Sequence, residues 1–115
     1  MDNQEKKLEI DFGKNAQELN ISKEIYLRIL CKGIVQTQTD VENLNNALQN
    51  NDHTKIKEVT HKLKGDYGNL RIEAISSLAK AIEDIVKTQQ GLEKMPDLFK
   101  ELNSQFNQLK KLVSG

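Results

Sequence analysis

The chain has 115 residues, enough for one domain with a single core, and its 17 Lys and Arg are matched by 17 Asp and Glu. Zero net charge without a basic cluster leaves no electrostatic footprint for nucleic acid. The most apolar stretch, "IYLRILCKGIV", is interrupted by Arg28 and Lys32, so neither a signal peptide nor a membrane span is expected, and the reading is of a cytoplasmic protein.

Charged residues make up 30% of the chain, against three Phe, two Tyr and one Pro, which favours helices packed on aliphatic stripes over a β-sandwich. Residues 1–21 form an accessory N-terminal segment in which Leu8, Ile10, Phe12 and Leu19 are apolar enough to pack, with a short helix around Asn15 to Leu19. Ser22 then caps a helix whose inward stripe is Ile25, Ile29, Leu30 and Val35. Cys31 lies among these residues and is expected to be a buried, inert thiol; a single cysteine allows no internal disulfide and no metal knuckle.

The polar run "QTQTD" opens a second helix carrying Val41, Leu44, Ala47 and Leu48, and "QNND" ends it. Asp52 is the N-cap of the next, whose stripe Ile56, Val59, Leu63, Tyr67 and Leu70 has helical spacing. A further helix from about Ile72 buries Ile75, Leu78, Ala79, Ile82 and Ile85 or Val86. Gly91 stops it, Pro96 starts the last, and Leu98, Leu102, Phe106, Leu109 and Leu112 or Val113 form its stripe. Short links between amphipathic helices imply antiparallel neighbours. The fold class is all-α: residues 22–115 make an up-and-down four-helix bundle with the short accessory helix beside it.

One histidine and two glycines mark the helix that Asp52 opens. At about 100° per residue, His61 points roughly 140° away from the centre of the apolar stripe, and Gly65 and Gly68 fall within about 40° of it. Each glycine costs roughly 0.8–1 kcal/mol against alanine inside a helix. On this projection the pair serves not core packing but an exposed, bare surface beside the imidazole. Lys64 can lean back toward a group attached to the ring, and Lys57, one turn earlier, is a second cation on that face. A neutral imidazole is a nucleophile suited to phosphoryl transfer, with lysine offsetting the phosphoryl charge. No glycine-rich nucleotide loop is present, so the chain is not expected to take phosphate from ATP by itself. His53, eight residues before His61, reads as a solvent-exposed side chain. The two histidines lie about 12 Å apart along the helix, so no metal site is expected.

The segment "HKLKG", His61 to Gly65, followed by Gly68, Asn69 and Leu70 and by "AIE", Ala81 to Glu83, resembles histidine-containing phosphotransfer (HPt) domains over residues 22–113. The resemblance implies a helical bundle relaying phosphoryl groups between aspartates of receiver domains in multistep two-component signalling. His61 would be the phospho-accepting residue, Lys64 its charge partner, and Gly65 and Gly68 the docking surface, beside which the helical projection places Lys57 as a further docking residue. It would have no turnover of its own. Its partners would be response-regulator receiver domains and a hybrid sensor histidine kinase; no cofactor would be bound, Mg²⁺ being supplied by the receiver. The chain departs from the family pattern at Arg71, where glycine is usual, and at Tyr67 and Asp66. A monomer is the default expectation. The alternative reading is a helical docking module that binds receiver or kinase domains without being phosphorylated.

Overall fold

The computed structural model describes residues 6–114. Its helices are α1 (Phe12–Glu18), α2 (Lys23–Gln49), α3 (His53–Asn69), α4 (Glu73–Thr88) and, after a 3₁₀ turn at Leu92–Lys94, α5 (Met95–Ser114). The long helices α2 to α5 form the bundle, with the most extensive contact between α3 and α4, and α1 rests on α2. Residues 1–5 of the expected accessory segment lie outside the described residues; α1 begins three residues earlier than the sequence suggests.

Capping side chains set the helix starts. Asp11, Ser22 and Asp52 each accept the backbone N–H three residues on, satisfying a donor that the first turn leaves orphaned. The ends share another device. Asn20, Asn51 and Arg71 take left-handed backbone, with φ of 58°, 52° and 64°. At the end of α3 the Ile72 N–H donates to the Tyr67 carbonyl and the Arg71 N–H to the Gly68 carbonyl. This paired arrangement reverses the chain within a few residues and makes α3 and α4 antiparallel neighbours. Glycine is the usual occupant of such a position, and Arg71 holds the same geometry without it.

The core contains the whole inward stripe read from α3, with Ile56, Val59, Leu63 and Tyr67 buried and Leu70 half-buried. From α4 it takes Ile75, Ala79, Ile82 and Val86, and from α5 Leu102, Phe106 and Leu109; Leu112 is exposed and Val113 packs at the margin.

Helix α2 differs from the sequence expectation in three respects. Residues 22–50 contain one helix, and "QTQTD" lies inside it. The buried face is Tyr26, Leu30, Thr37, Asp40, Val41, Leu44 and Ala47, whereas Ile25, Ile29 and Val35 are exposed. Cys31, next to the inward Leu30, is turned out to an exposed groove beside Ile34, Lys110 and Val113. The reason is a polar seam. Tyr67 donates its hydroxyl proton to Thr37 Oγ1 at 2.7 Å, and Thr37 donates onward to the Gly33 carbonyl at 2.8 Å. One turn further along α2, Lys62 lies 2.7 Å from buried Asp40 and 3.4 Å from Asp66. Polar residues thus occupy the inward face where an apolar stripe would otherwise advertise a continuous helix, and each is satisfied by α3. Burial pushes the Tyr67 phenol up to about 12, so it remains a donor.

A second polar contact anchors α1. Asn15 donates from its side chain to the Tyr26 hydroxyl at 3.2 Å, and Tyr26 donates to the Leu70 carbonyl. The N-terminal helix is thereby tied to the turn between α3 and α4.

Candidate functional site

Close approach of α3 and α4 sets the geometry of the site. A β-carbon at Gly68 would stand 3.3 Å from Ser76 Oγ of α4, and the Ser76 hydroxyl donates to the Lys64 carbonyl at 2.8 Å. Gly68 is therefore half-buried against α4, which corrects its assignment to a purely open surface. Seven residues back along α3 from Gly68 is His61, and seven residues forward along α4 from Ser76 is Glu83. In an antiparallel pair those equal steps, about 10 Å each, bring the two side chains face to face.

His61 Nδ1 lies 2.8 Å from Glu83 Oε2. Lys64 places its ammonium 2.9 Å from Glu83 Oε1, and Lys87, one turn beyond Glu83 on α4, lies 3.6 Å from Oε2. The Glu83 side chain is 2% exposed, while that of His61 is 67% exposed. An acid so enclosed beneath three basic side chains is the centre of the site. Sequence reasoning missed it, quoting Glu83 only as the end of "AIE". The available signal was a carboxylate on the apolar face of α4, where an acid has to be paired.

The protonation pattern follows. Burial alone pushes the Glu83 carboxyl up, but the close Lys64 ammonium and the His61 hydrogen bond, together with the charge of Lys87, outweigh it and hold the group below its ordinary value of 4.5. At neutral pH the carboxylate is ionised and can only accept. His61 Nδ1 must therefore carry a proton, and in the neutral ring Nε2 keeps its lone pair on the edge away from Glu83.

The surroundings of Nε2 are open. A β-carbon at Gly65 would meet nothing within 4 Å, and Lys57, one turn before His61, is exposed. Lys64 is where the sequence places it, but in this resting arrangement it is engaged by Glu83. Asp66 has its charge shared with Lys62, and Tyr67 turns into the core. His53 stands apart at the start of α3, where the Gln89 amide donates to its Nδ1 at 3.1 Å. Among the described residues no three His, Cys, Asp or Glu side chains gather as a metal site, and no helix is long and apolar enough to cross a membrane.

A bundle that presents one imidazole on an outer helix face, with its inner nitrogen held by a carboxylate and its outer nitrogen uncovered, is built to carry a group rather than to enclose a substrate. The sequence model of the Hpt domain matches residues 29–112, and the chain belongs to that family. Hpt domains are intermediates of histidine phosphotransfer in phosphorelays, interacting with receiver domains and not acting as independent enzymes. No curated protein and no solved structure gives a match.

Proposed function

We propose that His61 is the phosphoryl-carrying residue of this Hpt domain and that Nε2 is the atom that bears the group. The hydrogen bond from Nδ1 to buried, ionised Glu83 carries the reading, because it leaves Nε2 as the exposed nucleophile. The donor is an aspartyl phosphate on a receiver domain. The Nε2 lone pair attacks phosphorus, the N–P bond forms as the acyl P–O bond breaks, and the electron pair leaves on the aspartate carboxylate. The ring gains positive character while Nδ1 keeps its proton, so the bond to Glu83 strengthens as the group arrives. Returning the group to a second aspartate reverses these events.

Lys64 supplies positive charge to the phosphoryl oxygens, and Gly65 with Lys57 forms the approach surface for the receiver. Gly68 contributes by allowing α4 close enough for Glu83 to reach the ring. The receiver brings the acidic residues and Mg²⁺, the upstream donor is a hybrid sensor histidine kinase, and the domain works as a monomer. The non-phosphorylated docking alternative is less favoured, since such a module has no use for an ionised acid held beneath an exposed imidazole.

The test is transfer from ³²P-labelled receiver domains with Mg²⁺ to the wild type and to His61→Gln, resolved on gels that preserve phosphohistidine. Label on the wild type alone is expected. Equal label on both, or binding of a receiver without any label, would overturn the proposal.

A further inference from the structure

Two lysines flank Glu83, and in the resting state they stand at different distances from it. Its Oε2 faces His61 at 2.8 Å, whereas its buried Oε1 has the Lys64 ammonium at 2.9 Å as an ion-pair neighbour but no aligned hydrogen-bond donor. Lys87 stands further off, at 3.6 Å from Oε2, and its side chain is 47% exposed against 31% for Lys64. Lys80, one turn before Glu83 on α4, is committed to Asp84 at 2.8 Å. Lys64 from α3, in close contact, and Lys87 from α4, standing further off, thus flank one enclosed acid.

A conflict arises when the site is loaded. Resting on the reading that His61 carries phosphate on Nε2, Lys64 has to turn from Glu83 to the phosphoryl oxygens. That would strip Oε1 of its counter-charge inside a side chain that is 2% exposed. Removing one partner from a buried ion pair is strongly unfavourable unless another replaces it.

We infer that Lys87 is the reserve counter-ion of Glu83: it closes onto the carboxylate as Lys64 swings to the phosphoryl group, so that the acid stays paired and the Nδ1 hydrogen bond stays in place. Lys87 is four residues after Glu83 on the same helix, where a lysine reaches a preceding glutamate readily. No bond is made or broken by it. Its role is positioning, exerted through Glu83 on the ring and through Lys64 on the phosphoryl oxygens.

The test uses the intact chain, with potassium phosphoramidate as a small donor that needs no docking surface. Lys87→Met removes the charge at similar length, and Lys87→Arg restores it. Loading of Lys87→Met is expected to slow about fivefold, the scale of a partly exposed ion pair near 1 kcal/mol, with Lys87→Arg within about twofold of wild type. In the unloaded protein the imidazole ¹⁵N signals of Lys87→Met should match the wild type, because Lys64 still covers the acid. The Lys87 ammonium signal of the wild type should gain protection from exchange on loading.

Equal loading of wild type and Lys87→Met, or failure of Lys87→Arg to rescue, would overturn the inference and leave the carrier reading standing. An altered imidazole tautomer in unloaded Lys87→Met would overturn it too, by showing that Lys87 is needed before the phosphoryl group arrives. A wild type that takes no label from phosphoramidate or from any receiver would instead remove the carrier reading and the inference with it.

Discussion

Gly65→Ala separates the needs of the fold from those of the docking surface. Nothing lies within 4 Å of where its β-carbon would stand, so the substitution adds helix propensity with no steric opposition. Relative to glycine, alanine gains about 0.8–1 kcal/mol in an exposed helix interior. For a chain of this length, that gain corresponds to a midpoint rise of about 4 °C. The control is Gly68→Ala. There the β-carbon meets Ser76 Oγ at 3.3 Å and disturbs a hydroxyl bonded to the Lys64 carbonyl. A hydrogen bond of about 1 kcal/mol put at risk offsets the propensity gain, so little net change is expected. Urea and thermal unfolding measure both, and transfer from a phosphorylated receiver supplies the functional arm. There Gly65→Leu should obstruct docking although it stabilises the helix. A Gly65→Ala protein less stable than wild type would refute the open-face geometry, and a Gly65→Leu protein loaded at the wild-type rate would refute the reason given for it.

Three further outcomes follow from the same contacts. The Glu83 carboxyl sits below its ordinary 4.5, so its ionisation stabilises the fold above that pH and the contribution is lost as pH falls through the lower folded value. Urea midpoints of wild type should therefore drop in acid by a step that Glu83→Gln lacks, and parallel pH curves would contradict the assignment. Arg71→Gly relieves a left-handed φ of 64° at the loss of a half-exposed ion pair to Glu18 at 3.3 Å. A gain of about 0.5–1 kcal/mol is expected by urea unfolding, and a loss of 1 kcal/mol or more would contradict it. Lys64→Ala should slow transfer from a receiver roughly tenfold without preventing it, the scale of one charge-assisted hydrogen bond. A complete block in rapid-quench assays would mean that Lys64 does more than neutralise charge.

The inward stripe of α3 was legible because every position on it is apolar and spaced for a helix, and its outward face was legible because Gly65 has no propensity reason to stand there. The cap residues Ser22 and Asp52 announced themselves for the same local reason. What the sequence concealed depends on distant partners. The inward face of α2 uses Thr37 and Asp40, whose partners Tyr67 and Lys62 lie on another helix, so hydrophobic periodicity breaks where the helix does not. The apolar Ile25, Ile29 and Val35 then drew the stripe to the wrong side, and Cys31 with them. At the candidate site, His61 and Lys64 stand out in the sequence through their local pattern, whereas Glu83 acquires meaning only once α4 is folded back in register against α3. Gly68 was half understood: its bareness was visible, but the helix it admits was not.

Long-range ¹H–¹⁵N correlation of the imidazole in the phosphorylated protein, with ³¹P coupling, decides which nitrogen carries the phosphoryl group. Phosphorus bonded to Nε2 of His61 is expected, with Nδ1 still protonated and its proton shifted downfield by the bond to Glu83. Phosphorus on Nδ1, or on any residue other than His61, would contradict that assignment.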